Sequence, residues 1–267
     1  MRKLLFAFTS LALVTTLYSC YKNPVTGRSS LNLVDEGTMS QMASQEYTSF
    51  LSTNAPVKGS RDAEMVQRIG TRMAAAVQTY LTQKGQQNLI AGYQWQFNLV
   101  NKNEANAWCM PGGKVVVYSG ILPLTQNEAG LAVVMGHEIA HAIARHGNER
   151  MSQQLAVQAG GQALSAALSS KPALTQNIFN SAYGVGSNLG ILKYSREHES
   201  EADQMGLIFM ALAGYNPNEA ISFWQRMATQ SGGQKPPEFL STHPSDATRI
   251  NQIKKWIPDA MKYYKPQ

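Results

Sequence analysis

The sequence predicts an α+β fold, mainly helical, with one small β-sheet. Three observations lead there. "YQWQFNLV" (93–100) alternates Tyr93, Trp95, Phe97 and Leu99 with Gln94, Gln96 and Asn98, the period of a half-buried strand. "KVVVYSG" (114–120) is a second strand, entered through Pro111-Gly112-Gly113. Most other periodic stretches repeat at helical spacing, and one of these helices carries "HEIAH" (137–141).

Residues 1–19 read as a signal peptide of the lipoprotein type: Arg2 and Lys3, an apolar stretch from Leu4 to about Leu17, then Ser19 before Cys20. Cys20 is the expected lipidation site, which implies a lipid-anchored protein of the bacterial cell envelope, facing the periplasm. Residues 20–37, "CYKNPVTGRSSLNLVDEG", lack a helical period and read as a tether. The remainder, 38–267, is long enough for one domain with a sizeable core.

Removal of 1–19 lowers the net charge from +6 to +4, with 21 basic residues against 17 acidic. So small an excess on an exported chain argues against nucleic acid as partner. With Cys20 carrying lipid, Cys109 has no partner for an intramolecular disulfide and reads as a small buried residue.

Helices are expected at 38–56 and at 61–83, where Met65, Ile69, Met73 and Val77 form an apolar stripe. Thr125-x-x-Glu128 reads as a capping box for a helix of about 20 residues that stops at Gly147, after Arg145 and His146. From Met151 to Leu192 the only charged residue is Lys171, and "YGVGSNLG" (183–190) suggests a break between helices. No apolar run there approaches bilayer length. Further helices are expected at about 191–213, within "NPNEAISFWQRMATQ", and at about 245–257.

On a helix advancing 100° per residue, His137 and His141 lie on one face, one turn apart, where a single ion can take both imidazoles. Glu138 projects toward the edge of that face, beside the ion, as a general base would. The competing view is two hydrogen-bonded core histidines. Gly136, Ala132, Ala140 and Ala144 thin this helix for a close neighbour. A metzincin would carry glycine at 144 and histidine at 147; here Ala144 and Gly147 stand there, and His146 is one residue off register. The third ligand must therefore come from elsewhere, and "SREHESEADQMG" (195–206) offers it. Glu199 shares its side of that helix with Asp203 and the small Ala202 and Gly206. Glu201 shares its side with Tyr194, Met205 and Ile208, which reads as packing plus solvent. Glu199 is the favoured ligand over Glu201, with Asp203 as acceptor for the second ring nitrogen of His137.

His137-Glu138-x-x-His141 followed by Ser195-Arg196-x-x-Glu199-x-x-Ala202-Asp203 resembles the HtpX and CAAX prenyl protease family of zinc metallopeptidases, the gluzincins. "NPVTGR" (23–28), "NAWCMPGG" (106–113) and "THPSDATR" (242–249) look like its other landmarks. The chain is similar to the soluble periplasmic lipoprotein branch related to BepA and LoiP, without the helical-repeat extension of the former. The resemblance implies a zincin-type domain, one Zn2+ per chain, and a metalloendopeptidase acting on misfolded or misassembled envelope proteins. It also implies that His243 and Arg249 stabilise the developing oxyanion. For His243 two other readings stay open: a further zinc ligand that blocks the resting site, or a helix-start residue without chemistry. An edge strand at 114–118 would flank the cleft and pair with extended substrate, with Asn106, Gly113, Val115 and Val117 as candidate contacts; an interior strand is the competitor. A chaperone-like protein with a self-inhibited or structural zinc site is the alternative function.

Overall fold

The computed structural model describes residues 20–159, 172–183, 194–231, 238–243 and 247–266. Residues 1–19, read above as a signal peptide, most of the 160–192 region and its glycine-rich break, and parts of the loop before the last helix lie outside them.

The chain opens not with a tether but with a hairpin, β1 (Cys20–Lys22) antiparallel to β2 (Ser29–Leu31). Its turn is set by Asn23, whose Oδ1 accepts from the amides of Val25 and Thr26, and by Gly27 at φ +74°. Tyr21 is buried and donates its hydroxyl to the carbonyl of Ile143, 2.5 Å away. The lack of a helical period was real, but "NPVTG" encodes a turn rather than a loose linker.

Helix α1 (Glu36–Thr53) starts at Asp35, whose side chain accepts from the Thr38 amide; α2 (Arg61–Gln83) starts at Ser60 in the same way. Ile69, Met73 and Val77 are buried along the expected stripe of α2. Strand β3 (Gln96–Val100) is shorter than the alternation suggested, with Tyr93 and Trp95 preceding it. Then come β4 (Ala107–Met110) and β5 (Lys114–Tyr118). Strand order is β3-β5-β4, with β3 parallel and β4 antiparallel to β5.

This order corrects the expected edge. β5 is the central strand: Val115 and Val117 face a core built with α2 and the metal-motif helix, while Val116 and Tyr118 face a second core with α1. Residues 115 and 117 are wholly buried and cannot meet a substrate. The outer strands are β3, bridged at Val100 by Pro56, and β4, which has no sequence signal because "AWCM" does not alternate. Gly113, at φ +80°, forms the β4–β5 turn, where a Cβ would come within 2.7 Å of the Trp95 ring. Its role is conformational rather than substrate contact.

Short α3 (Leu122–Thr125) precedes α4 (Glu128–Ile143), the metal-motif helix. Asn127, not Thr125, caps α4, accepting from the Gly130 amide at 2.8 Å. The helix ends at Ile143, three residues or more before the expected stop. Arg145 takes φ +57°, and a new helix, α5 (His146–Ala159), begins at once. Gly147 is therefore no cap. It sits in the first turn of α5, where a Cβ would collide with the Tyr183 hydroxyl of α6 (Pro172–Tyr183).

Helix α7 (Arg196–Leu212) is capped by Ser195 and packs across α4. Gly136 and Gly206 meet at the crossing: a Cβ on Gly206 would lie 3.0 Å from Gly136 C and from His137 N. Small residues thus let two backbones touch, as the sequence implied. Helices α8 (Glu219–Ser231), α9 (Glu238–Thr242) and α10 (Ala247–Met261) close the same core. Among the described residues no helix is long and apolar enough to cross a membrane.

Candidate metal centre

Four ligand atoms converge where α4, α7 and the end of α9 meet. His137 and His141, one turn apart on α4, bring their Nε2 atoms within 3.0 Å of one another. Nδ1 of His243 lies 3.1 Å from His137 Nε2 and 2.8 Å from Glu199 Oε1. Glu199 Oε1 is 3.4 Å from His141 Nε2, and its Oε2 is 3.5 Å from His137 Nε2. All four residues are buried.

This set fits a tetrahedral ion. Zn–N and Zn–O bonds of about 2.0–2.1 Å place the ligand atoms of a tetrahedron about 3.3 Å apart. The separations above, 2.8 to 3.5 Å, fall around that figure, and one ligand atom from each of the four residues lies within 4.8 Å of the others. Three imidazoles and a carboxylate are also a borderline-soft nitrogen and oxygen set of the kind zinc takes. A core packed for hydrogen bonding alone has no reason to aim three ring nitrogens at one point.

Around the four stand their supports. Nδ1 of His137 lies 2.9 Å from Asp203 Oδ1, in the relationship expected from the sequence. Arg249 clamps both carboxylates: Nε and Nη2 donate to Asp203 at 2.7 and 2.8 Å, and Nη1 pairs with Glu199 Oε2 at 2.9 Å. Its guanidinium stacks 3.4 Å over the Trp224 ring. Arg249, the expected oxyanion partner, thus bridges Glu199 and Asp203. Glu138 is buried beside the cluster; its Oε1 accepts no hydrogen bond and faces His243 Nε2 at 3.3 Å.

Charge state follows from this packing. Burial opposes a positive His137, but Glu199 and Asp203 outweigh it and hold its pKa up at about 9. Burial pushes His141 well below its ordinary value. Burial also opposes ionised Glu199, yet His243, Arg249 and His137 keep its carboxyl far below the usual range. Asp203 is lowered likewise by Arg249 and His137, against burial. Burial raises Glu138, with His243 and His137 opposing, the direction a general base needs.

The structure brings together His137, Glu138, His141, Glu199, Asp203, His243 and Arg249, drawn from three separate stretches of chain. Asn106 is buried at the entry to β4, where its Oδ1 accepts from the Ala107 amide. Glu201 is not the solvent-facing residue its neighbours suggested. It is buried and bonded to Thr26, to Arg28 at 2.6 Å and to His146 at 3.1 Å. His146, one residue off the metzincin register, has its Nδ1 2.8 Å from His141 Nδ1. Its one sequence signal was a five-residue step from His141, reachable only because α4 breaks at Arg145.

Comparison with known proteins agrees with this geometry. Residues 60–257 match the model of Peptidase family M48. Mitochondrial metalloendopeptidase OMA1 of Saccharomyces cerevisiae is 37% identical over 66% of this chain and 51% of its own length. Beta-barrel assembly-enhancing protease of Yersinia pestis is 34% identical over 60% of this chain and 35% of its own. The bovine OMA1 metalloendopeptidase is 30% identical over 90% of this chain and 46% of its own. The chain thus spans about half or less of the length of these relatives. With a family match across most of its length and the ligand cluster inside that match, this chain belongs to Peptidase family M48.

Proposed function

We propose that the protein is a zinc metalloendopeptidase of the bacterial cell envelope, cleaving misfolded or misassembled envelope proteins. The observation that carries the reading is the convergence of His137, His141 and Glu199 beside a buried, unbonded carboxylate oxygen of Glu138. Family membership favours hydrolysis over the chaperone-like alternative. The substrate class draws on the name of the beta-barrel assembly-enhancing relatives.

His137, His141 and Glu199 would hold one zinc ion. Bound there, zinc acidifies water and polarises the scissile carbonyl. Glu138 takes the proton of the attacking water and passes it to the leaving amine, a role suited to a carboxylate whose pKa burial has raised. Asp203 accepts the Nδ1 proton of His137 and so directs the lone pair of Nε2 at the ion. Arg249 fixes Asp203 and Glu199 rather than touching substrate. His243, within hydrogen-bond distance of Glu199 and His137, would offer the ion a further imidazole in competition with substrate.

The substrate edge moves to β4. Its inner side pairs with β5 and it packs against α4, the helix that carries His137 and His141. The Phe239 amide already donates to Ala105 O at 2.9 Å, so the segment that carries His243 also covers the start of this edge. Cys20, exposed at the start of β1, is the lipid attachment point.

The test is Glu138→Gln, assayed on an unfolded protein substrate with zinc content measured in parallel. The variant keeps its zinc and loses cleavage by about a hundredfold or more. Cleavage at the wild-type rate would refute the reading.

A further inference from the structure

The two helix-α4 histidines are supported differently. His137 leans on a carboxylate, Asp203. His141 leans on another imidazole: its Nδ1 lies 2.8 Å from Nδ1 of His146, a wholly buried residue. The other nitrogen of His146, Nε2, lies 3.1 Å from Glu201 Oε2. That oxygen accepts from Arg28 Nε at 2.6 Å, and Glu201 Oε1 accepts from the Thr26 hydroxyl. Arg28 completes a fork onto Glu149, with Nη1 and Nη2 at 2.9 and 2.7 Å from its two oxygens.

Proton positions along this chain follow from donor and acceptor types alone. A carboxylate can only accept, so His146 Nε2 carries hydrogen toward Glu201. A neutral His146 then has its lone pair on Nδ1, and the short contact to His141 requires His141 to donate from Nδ1. That leaves the lone pair of His141 on Nε2, the atom that faces the ligand cluster. The ring of His146 is held in this orientation by stacking on His198, with centroids 4.3 Å apart and planes 19° from parallel. His198 is itself paired with Glu149.

We propose that His146, held by Glu201 and Arg28, positions His141 for metal binding, so that the N-terminal hairpin serves as an arm of the metal site. This rests on the zinc reading above. None of these three residues touches the ion; they are positioning residues acting through His141. The arrangement also explains why "NPVTGR" ends in arginine: a planar fork can bridge Glu201 and Glu149, whereas a lysine offers one charged point. A purely packing role would not set two imidazole nitrogens within hydrogen-bond distance in a site closed to water.

The experiment is zinc affinity by competition with a chromophoric chelator, on the full mature chain, for wild type, His146→Phe, His146→Asn, Arg28→Ala and Glu199→Ala. Phenylalanine keeps the ring and the stacking but offers no acceptor. Asparagine offers an acceptor oxygen near the place of Nδ1. His146→Phe is expected to weaken zinc binding about ten- to a hundredfold, His146→Asn to recover most of that loss, and Arg28→Ala to weaken it by a smaller factor. Thermal melts of the metal-free proteins separate misfolding from lost positioning; if His146→Phe does not fold, the Asn and Arg28 variants decide. Wild-type affinity in folded His146→Phe, or in Arg28→Ala together with a His146→Asn variant no better than an unfolded one, overturns the proposal. A wild type whose zinc affinity is unchanged by Glu199→Ala overturns the metal site itself, and this inference with it.

Discussion

His243 Nδ1 stands 2.8 Å from Glu199 Oε1, which places a residue 44 positions away in sequence within the same cluster as the α4 histidines. Under the proposed function, an imidazole there would compete with substrate for the ion. The free-energy cost of displacing it lowers the competent fraction of the enzyme. His243→Ala is therefore expected to raise cleavage of an unfolded substrate on the order of threefold to tenfold, while weakening zinc binding. A fall in kcat at unchanged zinc occupancy would return His243 to the oxyanion role.

Zinc binding should release a proton. In the metal-free cluster His137 is held up at about 9, so at pH 7.5 it is protonated and must lose that proton to become a ligand. His141, pushed down by burial, and Glu199, kept ionised by its cationic neighbours against burial, contribute none. Affinity should then fall about tenfold for each pH unit below 9. Calorimetric titrations in two buffers of different ionisation heat should report about one proton per zinc; none would contradict the assignment.

The α4–α7 crossing tolerates no added methyl group. Gly206→Ala would press a Cβ against Gly136 C and His137 N, both backbone atoms at 3.0 Å. Melting of the metal-free variant should show a loss of about 1–3 kcal/mol. Zinc affinity should fall too, because the crossing sets the distance between His137 and Glu199.

Arg249 neutralises two buried carboxylates at once. Arg249→Ala leaves Glu199 and Asp203 buried and short of a cation, a change expected to cost about 3–5 kcal/mol. Chemical denaturation of the metal-free protein measures it. Loss of activity without loss of stability would instead favour contact between Arg249 and substrate.

The residues that cluster are legible because each of their sequence signals is local: a five-residue helical motif, and a carboxylate with an aspartate one turn on. Asp203 and the small Ala202 and Gly206 on one side of α7 favour Glu199 over Glu201, and Gly136 and Gly206 mark where two helices meet. What stayed hidden depended on three-dimensional context. The α4 break at Arg145 turns His146 inward, and nothing in "IARHG" announces a left-handed arginine. The hairpin before Glu36 is stabilised by Arg28 reaching residues more than a hundred positions away. Strand order is likewise a tertiary property: "KVVVY" has the apolar continuity of a buried strand, and only the silent pairing of "AWCM" makes it central.

The measurement closest to the heart of this account is zinc-edge X-ray absorption of the purified, zinc-loaded protein. The expected result is a shell of nitrogen and oxygen alone at about 2.0–2.1 Å, with the outer-shell scattering of imidazole rings. A sulfur shell at about 2.3 Å, or a shell without imidazole, would contradict it.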